Sequence, residues 1–416
     1  MQREVSDDRS LSPNTLPAGG FYAQLDKLQA IQDYLPQQEC VRLFGISVKD
    51  FENENFLADG GCQTYVIDIG ITDFLNAIHN HGWWNSDLAK NGYLVNRFDE
   101  FWIFINFNSA PSPTSSYAYA AFIESGPQYI DVRAIKLLNR KIQLPPLESD
   151  KPLVKLGSGV AAKLSSFHVG QGMCSVYTYA EQQFLVDAGA GKPVTREIYR
   201  RNRHQDGSPF QNDLRACLNK KHLTAIISHL DSDHWRLLEW DSSICAQTTN
   251  IFFPIGTTSL ALRSSAIAKK VKALDSCTLA FDYDNYLAFF RTKPSRSDKN
   301  GEGVVVVAVC DGLPALLPGD YEYERMLSDH DADLCVLASD YYAAVVVPHH
   351  GAAASALNVP PAIFWGMQHR PIAFFSAGTH ARYRHPRLVS VAAHVSSGFD
   401  VIVDNKCPDI VEQRLL

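Results

Sequence analysis

From residue 160 onward one pattern recurs: a short apolar run that stops at Asp, His or Gly. It appears in "FLVDAG" (184–189), "LTAIISH" (223–229), "ALLPGD" (315–320), "VVVPHHG" (345–351) and "PIAFFSAG" (371–378). Apolar runs this short, bounded by turn residues, read as buried strands. "SVYTYAEQQFLVDAG" predicts a hairpin, and "GVVVVAVCDGLPALLPGD" predicts a second strand pair that turns at "CDG". Between the early strands, "VTREIYRRNRHQDG" mixes apolar and basic residues at helical spacing. A chain built this way brings ionisable groups to the ends of its strands.

Among those ends, "HLDSDH" (229–234) is the densest, with His229, Asp231, Asp233 and His234 within six positions. Two carboxylates and two imidazoles so close repel like with like unless a cation sits among them. An Asp after a strand, such as Asp187 or Asp320, is by itself an ordinary turn or N-cap residue. Together the groups read as a metal site. His229 and Asp231 can face one ion and Asp233 and His234 a second, with Asp320 bridging and His349 or His350 completing the second site. Two ions roughly 3.5–4 Å apart can share an activated water or hydroxide and stabilise both attacking and leaving oxygens.

The 416 residues suggest two domains, with a boundary in "IQLPPLESDKPLVKLGSG" (142–159). The expected division is an α+β module over 1–150 and a hydrolase domain over 160–416. In the first, "TYVIDIGI" and "FWIFINF" read as strands, "PSPTSS" as a loop, and "FYAQLDKLQAIQDYL" (21–35) as a helix. His79 and His81 in "IHNHGWW" fit a packed turn better than a ligand pair. A net charge of −7 argues against a surface basic throughout. Nine scattered cysteines without a CxxC pair suit reduced thiols. The lack of a signal peptide or an apolar run of about 18 residues leads to the expectation of a cytoplasmic protein with no membrane association.

Residues 164 to about 390 resemble the metallo-β-lactamase superfamily, and within it the soluble hydrolase domain of the ComEC/Rec2 competence proteins. The resemblance lies in "FHVGQG", "FLVDAG", "SHLDSDH", "ALLPGD", "VVPHHGA" and "RYRHP", in that order. It implies an α/β fold, an αββα sandwich with a metal site at one edge of paired sheets. It also implies His229, Asp231, Asp233, His234 and Asp320 as ligands of two divalent ions, Zn²⁺ or Mn²⁺, with Asp187 supporting the ligand loop. His350 is expected as the last ligand, with His349 the alternative, and His385 as a substrate contact or proton donor beside the catalytic Asp233. The chain departs from the family at Met173, Trp235 and Arg236, and no histidine occurs between His234 and His330.

The reaction implied is hydrolysis, with a bacterial phosphodiesterase or nuclease acting on DNA or RNA as the leading expectation. Lys192, Arg196, Arg200, Arg201, Arg203, Arg215, Lys220 and Lys221 form a basic stretch, from which Arg200, Arg201 and Arg203 are candidate phosphate contacts. "SRSDKNGEG" (295–303) reads as a mobile loop that could gate access. The alternatives are a hydrolase of a small phosphodiester or ester, or a component of a bacterial defence assembly whose first 150 residues dock a protein partner.

Overall fold

The computed structural model describes residues 15–79, 100–154, 160–218, 222–295, 300–363, 370–378, 384–403 and 408–416. His81, Lys220, Lys221 and residues 296–299 of the 295–303 loop fall outside these, as does the side chain of His79. The chain divides into two compact units, one of residues 1–144 with 259–269 and one of 145–258 with 270–416.

The first unit is a closed six-stranded barrel. Its strands are β1 (Phe21–Ile31), β2 (Glu39–Ser47), β3 (Thr64–Gly70), β4 (Phe101–Ser109), β5 (Tyr117–Ala120) and β6 (Gln128–Lys141), in the order β1-β2-β3-β5-β6-β4. The helix expected over 21–35 is a strand. Phe21, Ala23 and Leu25 alternate into the barrel core, and β1 pairs antiparallel with both β2 and β4. Phe21, Leu25, Leu28 and Ile31 also fit helical spacing, but pairing on both edges satisfies a backbone that a lone helix would leave with little packing.

β2 and β3 are buried on both faces. Their inward residues Val41, Leu43, Tyr65, Ile67 and Ile69 fill the barrel. On the outward face Arg42 grips Asp68 through two 2.7 Å bonds and meets Asp33 at 3.2 Å, all three side chains being buried. Tyr117 donates to Asp68 at 2.7 Å, which helps offset the desolvation of the carboxylate. Residues 259–269 return to this unit, where Arg263 donates to the Phe56 carbonyl at 2.8 Å and Leu260 joins a core with Phe51, Phe56 and Trp102.

The second unit holds two seven-stranded sheets. The first contains β7 (Lys163–Phe167), β8 (Cys174–Tyr179), β9 (Gln182–Ala188), β10 (His222–Ile226), β11 (Thr248–Pro254), β12 (Val271–Leu274) and β20 (Glu412–Arg414). The second contains β13 (Cys277–Ala280), β14 (Tyr286–Arg291), β15 (Val304–Cys310), β16 (Leu313–Leu317), β17 (Ala344–Val346), β18 (Ile372–Phe375) and β19 (Asp400–Val403).

Strand β15 shows how the sequence builds the layers. Val304, Val306, Ala308 and Cys310 join a core shared with Tyr177, Phe184, Val186 and Phe252 of the first sheet. Val305, Val307 and Val309 face the other way, onto Tyr323, Met326 and Leu334 of the helices Tyr323–Leu327 and Ala332–Leu337. On the far side of the first sheet, short helices over Arg236–Trp240 and Ser242–Gln247 pack on β9 and β11. The layers run helix, sheet, sheet, helix: the αββα sandwich.

Candidate metal centre

The parallel strands of both sheets end at one edge of the sandwich. Asp187 is the last residue but one of β9, and Ser228 and His229 follow β10, which runs parallel to β9. Asp320, His350 and Ser376 follow β16, β17 and β18, which are parallel to one another. Residues at such strand ends are held by a rigid sheet yet freed from ladder hydrogen bonding, which suits them to bind ligands.

Two groups of side chains converge there, His229 with His234 and Asp320, and Asp233 with His234 and His350. His234 Nε2 is 3.2 Å from Asp320 Oδ1, and His229 Nε2 is 3.8 Å from Asp320 Oδ2. His350 Nε2 is 3.8 Å from Asp320 Oδ1 and 3.6 Å from Asp233 Oδ2. Ligand atoms around a tetrahedral zinc, at Zn–N of about 2.0–2.1 Å, stand about 3.3 Å apart. These spacings match that within about half an ångström.

Nε2 of His229, His234 and His350, and Oδ1 of Asp320, are buried with no hydrogen-bond partner among the described residues. An unsatisfied buried polar atom costs about 1–3 kcal/mol, so the four together approach the entire stability of a domain, about 5–15 kcal/mol. They fall into the two groups that share His234, so divalent cations held there would satisfy all four. The donor set, three imidazoles and two carboxylates with Asp233 counted, fits Zn²⁺ or Mn²⁺ chemistry.

The far side of each imidazole is fixed. His234 Nδ1 donates to Asp187 Oδ2 at 2.9 Å, the carboxylate–histidine arrangement that turns Nε2 toward a metal. His350 Nδ1 donates to the Ser376 carbonyl at 2.8 Å. Asp187 has φ 55°, and His349 and His350 have φ 47° and 53°, left-handed conformations rare for residues other than glycine. Their clustering at this edge marks it as a place where backbone strain is held by the surrounding structure. A Cβ on Gly189 would lie 1.7 Å from the Asp233 carbonyl oxygen, so the glycine of "LVDAG" lets the ligand loop settle on β9.

The electrostatics are those of a site short of positive charge. Burial works against a proton on His234, but Asp187 and Asp320 outweigh it and hold its pKa well above the usual range. Asp320 is held well below the carboxylate range because His234 and His350 overcome the penalty of burial. His229 is pushed down by burial and by His234, whose ring centroid is 4.0 Å away.

The adjacent imidazoles of "PHHG" part company. His350 enters the cluster, whereas His349 is partly exposed and its Nδ1 meets Glu322 Oε1 at 3.0 Å. Burial opposes protonation of His349, but the Glu322 hydrogen bond and the Asp320 charge raise it to about 9. His385 is half-buried with its ring centroid 5.9 Å from that of His349, and burial together with His350 and His349 pushes it down to about 4. Asp231 precedes the 3-10 turn Ser232–His234 without a side-chain capping bond and lies outside both groups.

The basic stretch is largely engaged elsewhere. Arg196 is buried in an ion pair with Glu239, Arg215 meets Asp241 at 2.7 Å, and Arg201 meets Glu197 at 2.8 Å. Arg203 donates to the Gly207 carbonyl at 2.9 Å, and Arg200 sits half-buried on the helix Arg196–Arg201. Ser228, Glu322 and Ser376 are site residues that the sequence pattern does not single out. A serine before a histidine and a glutamate two residues after an aspartate carry no spacing that distinguishes them.

No family model and no curated protein matches the chain. Among solved structures it is similar to Igni18, a metallo hydrolase from the archaeon Ignicoccus hospitalis, at 14% identity over 60% of this chain and 98% of that one, with TM-score 0.35. It is similar to the metallo-β-lactamase fold protein YhfI from Bacillus subtilis, at 8% identity over 61% and 99%, with TM-score 0.34. Human tRNase Z, short form, gives 15% identity over 44% and 76%, with TM-score 0.27. The chain spans about half the length of a protein of unknown function from Enterococcus faecalis, at 12% identity over 45% of this chain and 49% of that one, with TM-score 0.28.

Proposed function

We propose that the protein is a metal-dependent hydrolase that cleaves phosphodiesters, with nucleic acid as its leading substrate class. The observation that carries this reading is the set of four buried, unpartnered ligand atoms at the strand ends. His234, His350, Asp233 and Asp320 would hold one divalent ion, and His229 with Asp320 a second. Such ions polarise a phosphoryl group and make water nucleophilic at neutral pH. In this reading Asp187 orients His234, and Ser376 orients His350. His385, kept neutral near pH 7 by burial and its histidine neighbours, accepts a hydrogen bond from or donates one to the substrate. His349, held by Glu322, lines the approach.

A second reading, hydrolysis of a small phosphodiester or ester, draws support from the arginines. Arg196, Arg201 and Arg215 have acidic partners within the protein, which leaves less positive surface for a polyanion. Docking of a protein partner on the barrel unit is a separate proposal, checked by a pull-down with the full chain.

The test is hydrolysis of end-labelled single-stranded DNA, duplex DNA and RNA, and of bis(p-nitrophenyl) phosphate, with Mn²⁺ or Zn²⁺. Wild type is compared with Asp233→Ala. Polynucleotide cleavage that needs metal and vanishes in the variant supports the leading reading. Turnover of the small diester alone favours the second, and full activity in Asp233→Ala refutes both.

A further inference from the structure

Ser228 lies between two β10-end histidines and the carboxylate that serves them. Its Oγ is 2.9 Å from Asp187 Oδ2, 3.1 Å from His229 Nδ1 and 3.2 Å from His234 Nδ1, and its own N–H donates to Asp187 Oδ1 at 2.7 Å. The residue is 2% exposed. Gly319, at φ 61°, makes room for it, since a Cβ there would lie 2.6 Å from Ser228 Oγ.

The proton order follows from what each atom can do. A carboxylate only accepts, so the 2.9 Å contact between Ser228 Oγ and Asp187 Oδ2 takes the single hydroxyl proton. Ser228 Oγ can then only accept from an imidazole. His234 Nδ1–H is engaged with Asp187 at the shorter 2.9 Å, which leaves His229 Nδ1–H as the donor to Ser228. His229 therefore carries its proton on Nδ1 and turns the Nε2 lone pair into the site, where it has no hydrogen-bond partner among the described residues.

We infer that Ser228 is a positioning residue: its hydroxyl extends the hold of Asp187 to His229, so that one carboxylate sets the metal-ligating tautomer of two histidines. This rests on the metal reading proposed above and assigns to it a residue with no direct contact to the ion. Loss of such a partner behind a ligand typically lowers metal affinity by about 10–100-fold.

The experiment is Zn²⁺ binding to the metal-stripped full chain, read by competition with a chromophoric chelator. Ser228→Ala and His229→Ala should each weaken the same binding step, the former by about 10–100-fold. The double variant should bind no more weakly than His229→Ala alone, because both changes remove one function. The pair Ser228→Thr and Ser228→Val, equal in shape, separates the hydroxyl from packing: Thr should bind at least about 10-fold more tightly than Val. Additive losses in the double variant, equal affinity of Thr and Val, or wild-type affinity in Ser228→Ala would overturn the inference. Failure of the wild-type chain to bind Zn²⁺ at all would instead remove the metal reading beneath it.

Discussion

Replacing Asp187 by Asn tests the support of the centre without removing a ligand. Asp187 accepts three hydrogen bonds, from Ser228 N at 2.7 Å, Ser228 Oγ at 2.9 Å and His234 Nδ1 at 2.9 Å. An amide offers one oxygen and two N–H donors, so one side must reverse. With its oxygen kept on the Ser228 N–H, the Asn amide nitrogen donates to His234 Nδ1. The imidazole then gives up its Nδ1 proton and keeps the one on Nε2, where it faces Asp320 Oδ1 at 3.2 Å. The metal-free fold keeps most of its bonds and exchanges charge-assisted for neutral ones, a loss of about 1–2 kcal/mol. Metal binding must undo the new tautomer and break the bond from the amide, a further cost of about 1.4–2.7 kcal/mol, or about 10–100-fold in affinity. Asp187→Asn should therefore bind Zn²⁺ about 10–100-fold more weakly. The metal-free protein should lose only about 1–2 kcal/mol of stability. Chelator competition and metal-free chemical denaturation measure the two. Zn²⁺ affinity within about threefold of wild type would refute the assignment of Asp187 to His234.

Two further predictions concern the fold. Asp68→Ala strips Arg42 of its bidentate partner and Tyr117 of its acceptor while Arg42 stays buried, and should destabilise the barrel unit by about 3–5 kcal/mol in chemical denaturation. His394 is buried between the Ser390 carbonyl, to which Nδ1 donates at 2.7 Å, and the Tyr323 hydroxyl at 3.1 Å, and burial pushes its pKa down to about 4. Unfolded, the same imidazole titrates near 6.5. The unfolded chain thus takes up a proton first, and the contribution of His394 to stability falls as pH drops from about 6.5 to about 4, by up to about 3 kcal/mol, then levels off. His394→Gln should flatten that slope in unfolding curves taken across the window, and an unchanged slope would discount His394 as its source.

The centre was far more legible than the barrel, for physical reasons. Strand ends in an αββα sandwich must expose polar groups at one edge, so Asp187, His229 and Asp320 are visible as interruptions of apolar runs. The alternation of β15 is hidden in "VVVVAVC", because both faces are buried and period 2 leaves no polar mark. In β1, bulges between Leu25, Lys27 and Ala30 break the alternation after three inward residues and leave Leu28 and Ile31 at helical spacing. The return of residues 259–269 to the first unit depends on contacts such as Arg263 to the Phe56 carbonyl, which no local pattern announces. Counting charges also misled over the 192–222 stretch, since Arg196 lies inside the fold and contributes nothing to the surface. Ser228 was hidden for the opposite reason: its role follows from three distances and not from its neighbours in sequence.

The most direct test of the metal centre is the divalent ion content of the full chain by inductively coupled plasma mass spectrometry, after incubation with Zn²⁺ or Mn²⁺ and removal of free ion. The arrangement of His234, His350, Asp233 and Asp320 predicts stoichiometric metal in wild type and its loss in His234→Ala and His350→Ala, with His349→Ala retaining it. Absence of stoichiometric metal in wild type with either ion, or its full retention in His350→Ala, would contradict the account.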